Sequence, residues 1–207
     1  MTRIERIEPS RHKRGRVLLF LEGGTLLKVT EQELLDFGLR SGDRLSDETL
    51  EALKKAAGGS NVKATAADLI GKRAMSKSSL EKKLKEKGAT DYEARYASEW
   101  LEAIGAIDDA AYAAALVRHC GDKGYGPAKT KEKLYEKGVP RELWEDALEE
   151  LPGNEEQIEK FLTAKLRGEY PDEKEKKRLI DALLRRGFPW GDIKRVFGRL
   201  LDTYFED

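Results

Sequence analysis

The sequence predicts a mainly α fold: three tandem three-helix repeats in an elongated, curved arrangement, with a small N-terminal β-hairpin/α region. Three observations predict it. From residue 62 onward Leu, Ala, Lys and Glu dominate, and apolar residues recur at helical spacing. A cation followed by glycine closes a helix-like stretch three times, at Lys87-Gly88, Lys137-Gly138 and Arg186-Gly187, at intervals of 50 and 49 residues. The first thirty residues differ from the rest: two β-prone runs, 17–21 and 25–29, flank Gly23-Gly24, as in a hairpin.

Each element has a local cause. Residues 3–7 (Arg-Ile-Glu-Arg-Ile) are a candidate third strand. Thr30 stands where an N-cap belongs, with Glu33 at the capping-box position and Leu34, Leu35 and Phe37 following; Gly38 ends that helix. Ser46 opens another helix through Leu50, Leu53 and Ala57. Gly58-Gly59-Ser60-Asn61 has linker composition and predicts a boundary closing an N-terminal region at 1–57. The repeats then occupy 62–105, 106–152 and 153–205, with first helices near 62–74, 108–121 and 154–167. In each second helix the terminal Lys or Arg complements the helix dipole, and Gly takes the left-handed position beyond the end. Thr90, Pro140 and Pro189, two residues later, start each third helix. Ala97, Ala147 and Val196 align, as do Leu101, Leu151 and Leu200. Helices this short need stacked neighbours to bury their apolar faces, which is why an extended array is expected.

Composition sets the bounds. In 207 residues, 39 Lys and Arg balance 39 Asp and Glu, so net charge gives no reason to expect nucleic acid. The single cysteine, Cys120, forms no internal disulfide, which suits a reducing cytoplasm. One Cys and two His (His12, His119) exclude the usual Cys/His zinc sites, and no apolar run approaches membrane-spanning length. The expectation is a soluble, cytoplasmic monomer with no metal, no cofactor and no secretory leader.

Three features together resemble the RecX family, the bacterial regulators of the RecA recombinase. Residues 101–113 (LEAIGAIDDAAYA) are similar to the family's LxxxGxIDDxxYA junction. Gly124-Tyr125-Gly126-Pro127, followed by Lys133-Leu134-Tyr135-Glu136-Lys137-Gly138, is similar to its GxGPxxIxxxLxxKG stretch. The repeat spacing is the third feature, and the N-terminal hairpin looks like the extra region of many members. Thr130 departs from the pattern, standing where the family more often has an aliphatic residue. The third repeat has Glu169-Tyr170-Pro171-Asp172 in place of the Gly-Pro turn. The resemblance implies a non-enzymatic regulator. Family members bind the RecA–single-stranded DNA filament, suppress its ATPase, strand-exchange and co-protease activities, and limit its growth or promote its disassembly.

The balanced charge is segregated along the chain. Residues 72–87 hold seven basic and two acidic residues, 118–137 six and three, and 174–199 nine and three; 140–159 hold one basic and eight acidic. The middle helix of every repeat is therefore basic. The loop Arg11-His12-Lys13-Arg14-Gly15-Arg16 is basic too. Candidate contacts to a partner protein or to DNA are Arg11, Lys13, Arg14, Arg16, Lys82, Lys83, Lys85, Lys129, Lys131, Lys133, Arg185 and Arg195. Solvated faces and intramolecular ion pairs account for the same pattern. Lys87, Lys137 and Arg186 are explained by capping, whereas the aligned Lys83 and Lys133 precede the last turn and ask for a partner contact.

Tyr92, Tyr96 and Trp100 fall on one helical stripe, where the second repeat has Glu142, Asp146 and Glu150. Packing against a neighbouring unit and an exposed patch for the recombinase or for DNA bases both fit. Gly124–Thr130 ends in Lys-Thr but lacks the strand–loop–helix context of a phosphate-binding loop. Asp108-Asp109 reads as a helix cap, and His119 beside Cys120 has no third catalytic partner. Two rival functions stay open: a helical module binding nucleic acid in its own right, and a helical-repeat interaction scaffold.

Overall fold

The structure is a computed structural model that describes residues 1–166 and 170–203. The end of the expected helix 154–167, Glu169 of the degenerate turn and the last residues of repeat 153–205 lie outside the described residues. Two compact units emerge: residues 1–74 with 80–107, and residues 75–79 with 108 onward.

In the first unit the expected strands are present. β1 (Thr2–Pro9), β2 (Arg16–Leu21) and β3 (Thr25–Thr30) form an antiparallel sheet with a short β4 (Arg44–Leu45), which the sequence did not reveal, in the order β3-β2-β1-β4. Gly23 and Gly24 both take positive φ in the β2–β3 turn, a conformation closed to most side chains. Thr30 and Glu33 form the capping box of α1 (Glu31–Asp36). Val17, Leu19, Leu21 and Val29 point to one face and are buried with Ile4, Leu45, Leu53 and Ala57.

The expected linker is a correction. α2 runs unbroken from Asp47 to Lys72, through Gly58, Gly59, Ser60 and Asn61. Two mid-helix glycines cost about 1 kcal/mol each relative to alanine. Tertiary contacts offset that cost. A Cβ at Gly58 would come within 2.7 Å of a Glu93 carboxylate oxygen. Ser60 receives Arg16, and the Asn61 side-chain amide donates to the Lys28 carbonyl at 2.9 Å. The N-terminal region and the first repeat therefore share one helix.

α3 (Lys77–Glu86) and α4 (Asp91–Ala103) follow. Thr90 and Glu93 form a second capping box, and Gly88 takes φ +93° beyond α3. α4 packs on α2, burying Ala94, Ala97 and Leu101.

In the second unit α5 (Asp109–Asp122) is capped by Asp108, whose carboxylate accepts from the Ala111 amide at 2.9 Å. Pro127 stands in the first turn of α6 (Pro127–Glu136). The expected third helix of this repeat divides into a 3₁₀ turn, Arg141–Leu143, and a short α7 (Trp144–Leu148). Ala113, Val117, Leu134, Val139 and Ala147 form its core. α8 (Asn154–Leu166), α9 (Glu173–Arg185) and α10 (Trp190–Thr203) bury Ile158, Leu162, Leu183, Phe188, Ile193 and Val196 in a further core. Burying each such side chain is worth about 1.5–3 kcal/mol, more than the intrinsic preferences of short helices supply. The chain is mainly helical, in three-helix repeats behind a small strand-bearing region.

Candidate partner-binding surfaces

A recurrent joint occurs twice within the second unit. Ser76 caps α3 by accepting from the Ser79 amide at 3.1 Å, and its own hydroxyl donates to the Lys137 carbonyl at 2.5 Å. The Ser79 hydroxyl donates to that carbonyl as well, at 2.7 Å. Twelve residues before the repeat glycine, the next repeat has Gly126 where this one has Ser76. There the Gly126 amide donates to the Arg186 carbonyl at 2.8 Å, and the Ala128 amide to the Gly187 carbonyl at 3.1 Å. In both places the electronegative end of one middle helix meets donors at the start of another. The glycine signature thus has a second role. Gly126 and Gly187 are packed so closely that a Cβ at Gly126 would meet the Gly187 carbonyl at 2.6 Å.

Arg186 is another correction, since its side chain does more than complement its own helix end. It donates to the carbonyls of Lys123 and Gly124, at 2.9 and 3.1 Å, and its guanidinium lies 4.9 Å from the centre of the Phe161 ring. Thr130, the departure from the family pattern, is fully buried, and its hydroxyl is satisfied by the Gly126 carbonyl at 3.0 Å. Cys120 is buried too, and burial pushes its thiol pKa up, the opposite of a reactive nucleophile. His119 beside it is exposed.

The candidate cations divide into paired and unpaired groups. Lys13 meets Asp68 at 2.7 Å and holds that carboxyl below its usual range. Arg16 is bound to the Ser60 hydroxyl at 2.8 Å and the Ser60 carbonyl at 2.5 Å. Lys85 meets Asp91 at 3.0 Å. Lys129 pairs with Glu132 at 2.7 Å and Lys133 with Glu136 at 2.6 Å, and the Glu136 hydrogen bond raises the Lys133 pKa. Arg195 bonds Glu155 at 2.9 Å and also Asp192. Arg11, Arg14, Lys82, Lys83, Lys131 and Arg185 have no ion-pair partner among the described residues, and all but the half-buried Lys83 are exposed. Internal contacts thus take up Lys13, Arg16, Lys85, Lys129, Lys133 and Arg195 and leave the other six available.

Of the aromatic stripe, Tyr92 and Tyr96 are exposed within their unit and Trp100 is half-buried. Tyr92 is 71% and Tyr96 46% accessible. Their rings are near-parallel, 6.1 Å apart. The Lys63 ammonium lies 4.3 Å from the Tyr96 centroid and 5.2 Å from that of Trp100. Sequence spacing missed Lys63, because it depends on α2 packing beside α4.

No group of three or more His, Cys, Asp or Glu side chains suited to a metal exists among the described residues. No helix among them is long and apolar enough to cross a membrane.

Comparison with known proteins matches residues 108–148 to the second three-helix domain of RecX and 155–197 to the third. The regulatory protein RecX of Pseudomonas putida (strain W619) is 33% identical over 146 residues, covering 69% of this chain and 94% of that protein. That of Limosilactobacillus reuteri (strain DSM 20016) is 28% identical over 193 residues, covering 91% and 73%. A crystal structure of a regulatory protein RecX aligns with a TM-score of 0.70 at 24% identity, over 96% of this chain and 100% of that one; at that identity the likeness establishes the fold.

Proposed function

The chain belongs to the RecX family of regulatory proteins, and on that premise we propose that it binds the RecA recombinase filament on single-stranded DNA and inhibits its ATPase, strand-exchange and co-protease activities. Its role is then to modulate recombination, DNA repair and the SOS response in the cytoplasm, as a monomer without catalysis or cofactor. The repeat bounds 62–105, 106–152 and 153–205 belong to the proposal, the first now beginning inside α2. One observation carries the reading: family likeness joined to cations left unpaired on middle helices, Lys82 and Lys83 on α3, Lys131 on α6 and Arg185 on α9. Such groups are free to meet an acidic filament groove or its phosphates.

The test is DNA-dependent ATP hydrolysis by a preformed recombinase filament, titrated with the protein, beside binding to bare single-stranded DNA. Inhibition with filament-dependent affinity supports the proposal. Equal affinity for bare DNA without inhibition would assign the protein to the nucleic-acid-binding module class, and no DNA effect at all to the scaffold class.

A further inference from the structure

The solvent face of the N-terminal sheet carries side chains that family membership leaves unassigned. In the β2–β3 register Leu18 faces Lys28 and Phe20 faces Leu26. Leu19, Leu21 and Val29 point inward and are buried, so these four side chains project outward. Arg6 covers Phe20, its guanidinium 3.9 Å from the ring centre. Leu18 and Leu26 remain as the apolar floor of a cleft of about 270 Å³, walled by Ser10, His12, Lys13, Arg16, Lys28 and Asn61. Leu26 is 43% exposed.

The rim is cationic. Residues 9–21 contain no Asp or Glu. Lys13 and Arg16 are tied to α2 through Asp68 and Ser60, which fixes the loop over the cleft. Arg11 and Arg14 on that loop, and Lys28 on β3, are exposed without an ion-pair partner among the described residues.

We propose that this cleft holds one nucleotide unit of single-stranded DNA, its base on Leu18 and Leu26 and its flanking phosphates toward Lys28, Arg11 and Arg14. The choice of DNA rests on the proposed function; the apolar floor and cationic rim do not. Sites for larger organic ligands run from about 300 to 1,000 Å³. This cleft falls just below that range and suits one planar ring. Concentrated unpaired cations favour a polyanion. An added peptide strand fits less well. β3 is the sheet edge, but Asn61 already takes the Lys28 carbonyl, an acceptor that an added strand would need.

The experiment is fluorescence anisotropy of an end-labelled oligo-dT with the full chain, without recombinase, over a salt series. The double variant Arg11→Ala/Arg14→Ala should make the log–log salt slope shallower by about 1.4, at about 0.7 per phosphate on a single strand. Leu26→Ala, at an exposed position where folding is not at stake, should weaken binding about fivefold with the slope unchanged. An unchanged slope in the first, or unchanged affinity in the second, overturns the inference. So does a labelled poly-glutamate peptide that binds more tightly than the oligonucleotide and is weakened by the same variants. Filament ATPase is measured alongside. If the parent inhibits it but the cleft variants bind oligo-dT as the parent does, only this inference falls. If the parent does not inhibit, the family-level function falls, and the cleft stands on the anisotropy.

Discussion

The hydroxyl of Ser76 donates to the main-chain carbonyl of Lys137, 61 residues further along the chain, while its oxygen accepts from the Ser79 amide. One buried side chain thus caps a helix start and fastens a helix end from the following repeat to it. Serine supplies both a donor and an acceptor, which a backbone amide alone cannot. At the equivalent joint Gly126 uses its amide and gains close approach from having no Cβ. The two joints reach the same contact by different chemistry.

Ser76→Ala should therefore destabilise the protein by about 1–2 kcal/mol, from a lost N-cap and the loss of one of the two hydroxyl donors to the Lys137 carbonyl. Ser78→Ala, at an exposed neighbouring position, should change stability by less than about 0.5 kcal/mol. Urea unfolding of the three proteins checks this. Equal midpoints for the two variants would remove Ser76 from the joint.

Gly59→Ala should stabilise the chain by about 0.5–1 kcal/mol, because Gly59 sits inside α2 with nothing within 4 Å of its would-be Cβ. Gly58→Ala should gain less, since its methyl meets the Glu93 carboxylate and that side chain must move. Thermal unfolding distinguishes the two. A flexible linker at 58–61 would show no gain from either substitution.

Those glycines mark the limit of what the sequence makes legible. Local signals were readable because their physics is local: the capping box at Thr30/Glu33, the helix start at Thr90, the Asp108 cap, and the left-handed glycines 88, 138 and 187 all formed. The linker-like tetrad became helix because Glu93, Arg16 and Lys28 meet it from elsewhere in the chain. The Ser76–Lys137 joint left no local signal, because it brings together two helix ends 61 residues apart. Among the candidate cations, Lys133–Glu136 could have been read from i,i+3 spacing. The Arg195–Glu155 pair, 40 residues apart, could not.

Acid should weaken the α8–α10 contact. Glu155 accepts from Arg195 at 2.9 Å and from Arg199 at 3.2 Å, and these hydrogen bonds hold its carboxyl below the ordinary value of 4.5. A carboxyl lowered in the folded state adds stability above its unfolded pKa and loses it as pH falls through the folded one. The contribution is thus complete at neutral pH and declines below about 4.5. Glu155→Gln should be less stable than the parent at pH 7 and lose less between pH 5 and 3. Glu136 and Asp68 are lowered in the same way, so the acid slope flattens only in part. Denaturant unfolding across that window, with parallel slopes in the two proteins, would exclude the network as the cause.

Lys83 and Lys133 occupy equivalent repeat positions but should behave differently toward a polyanionic partner. Lys133 is committed to Glu136 at 2.6 Å, so removing it deletes one charge of a neutral pair. Lys83 and its neighbour Lys82 have no such partner among the described residues. A cation that neutralises a single-strand phosphate contributes about 0.7 to the salt slope; one already neutralised by a carboxylate releases no counterion on binding. Filament binding measured from low to moderate salt should therefore show a slope shallower by about 1.4 for Lys82→Ala/Lys83→Ala. Lys133→Ala should leave the slope nearly unchanged. If Lys133→Ala moves the slope as much as Lys83→Ala alone, the pair with Glu136 opens on binding, and the repeat position rather than the local carboxylate decides which lysines meet the partner.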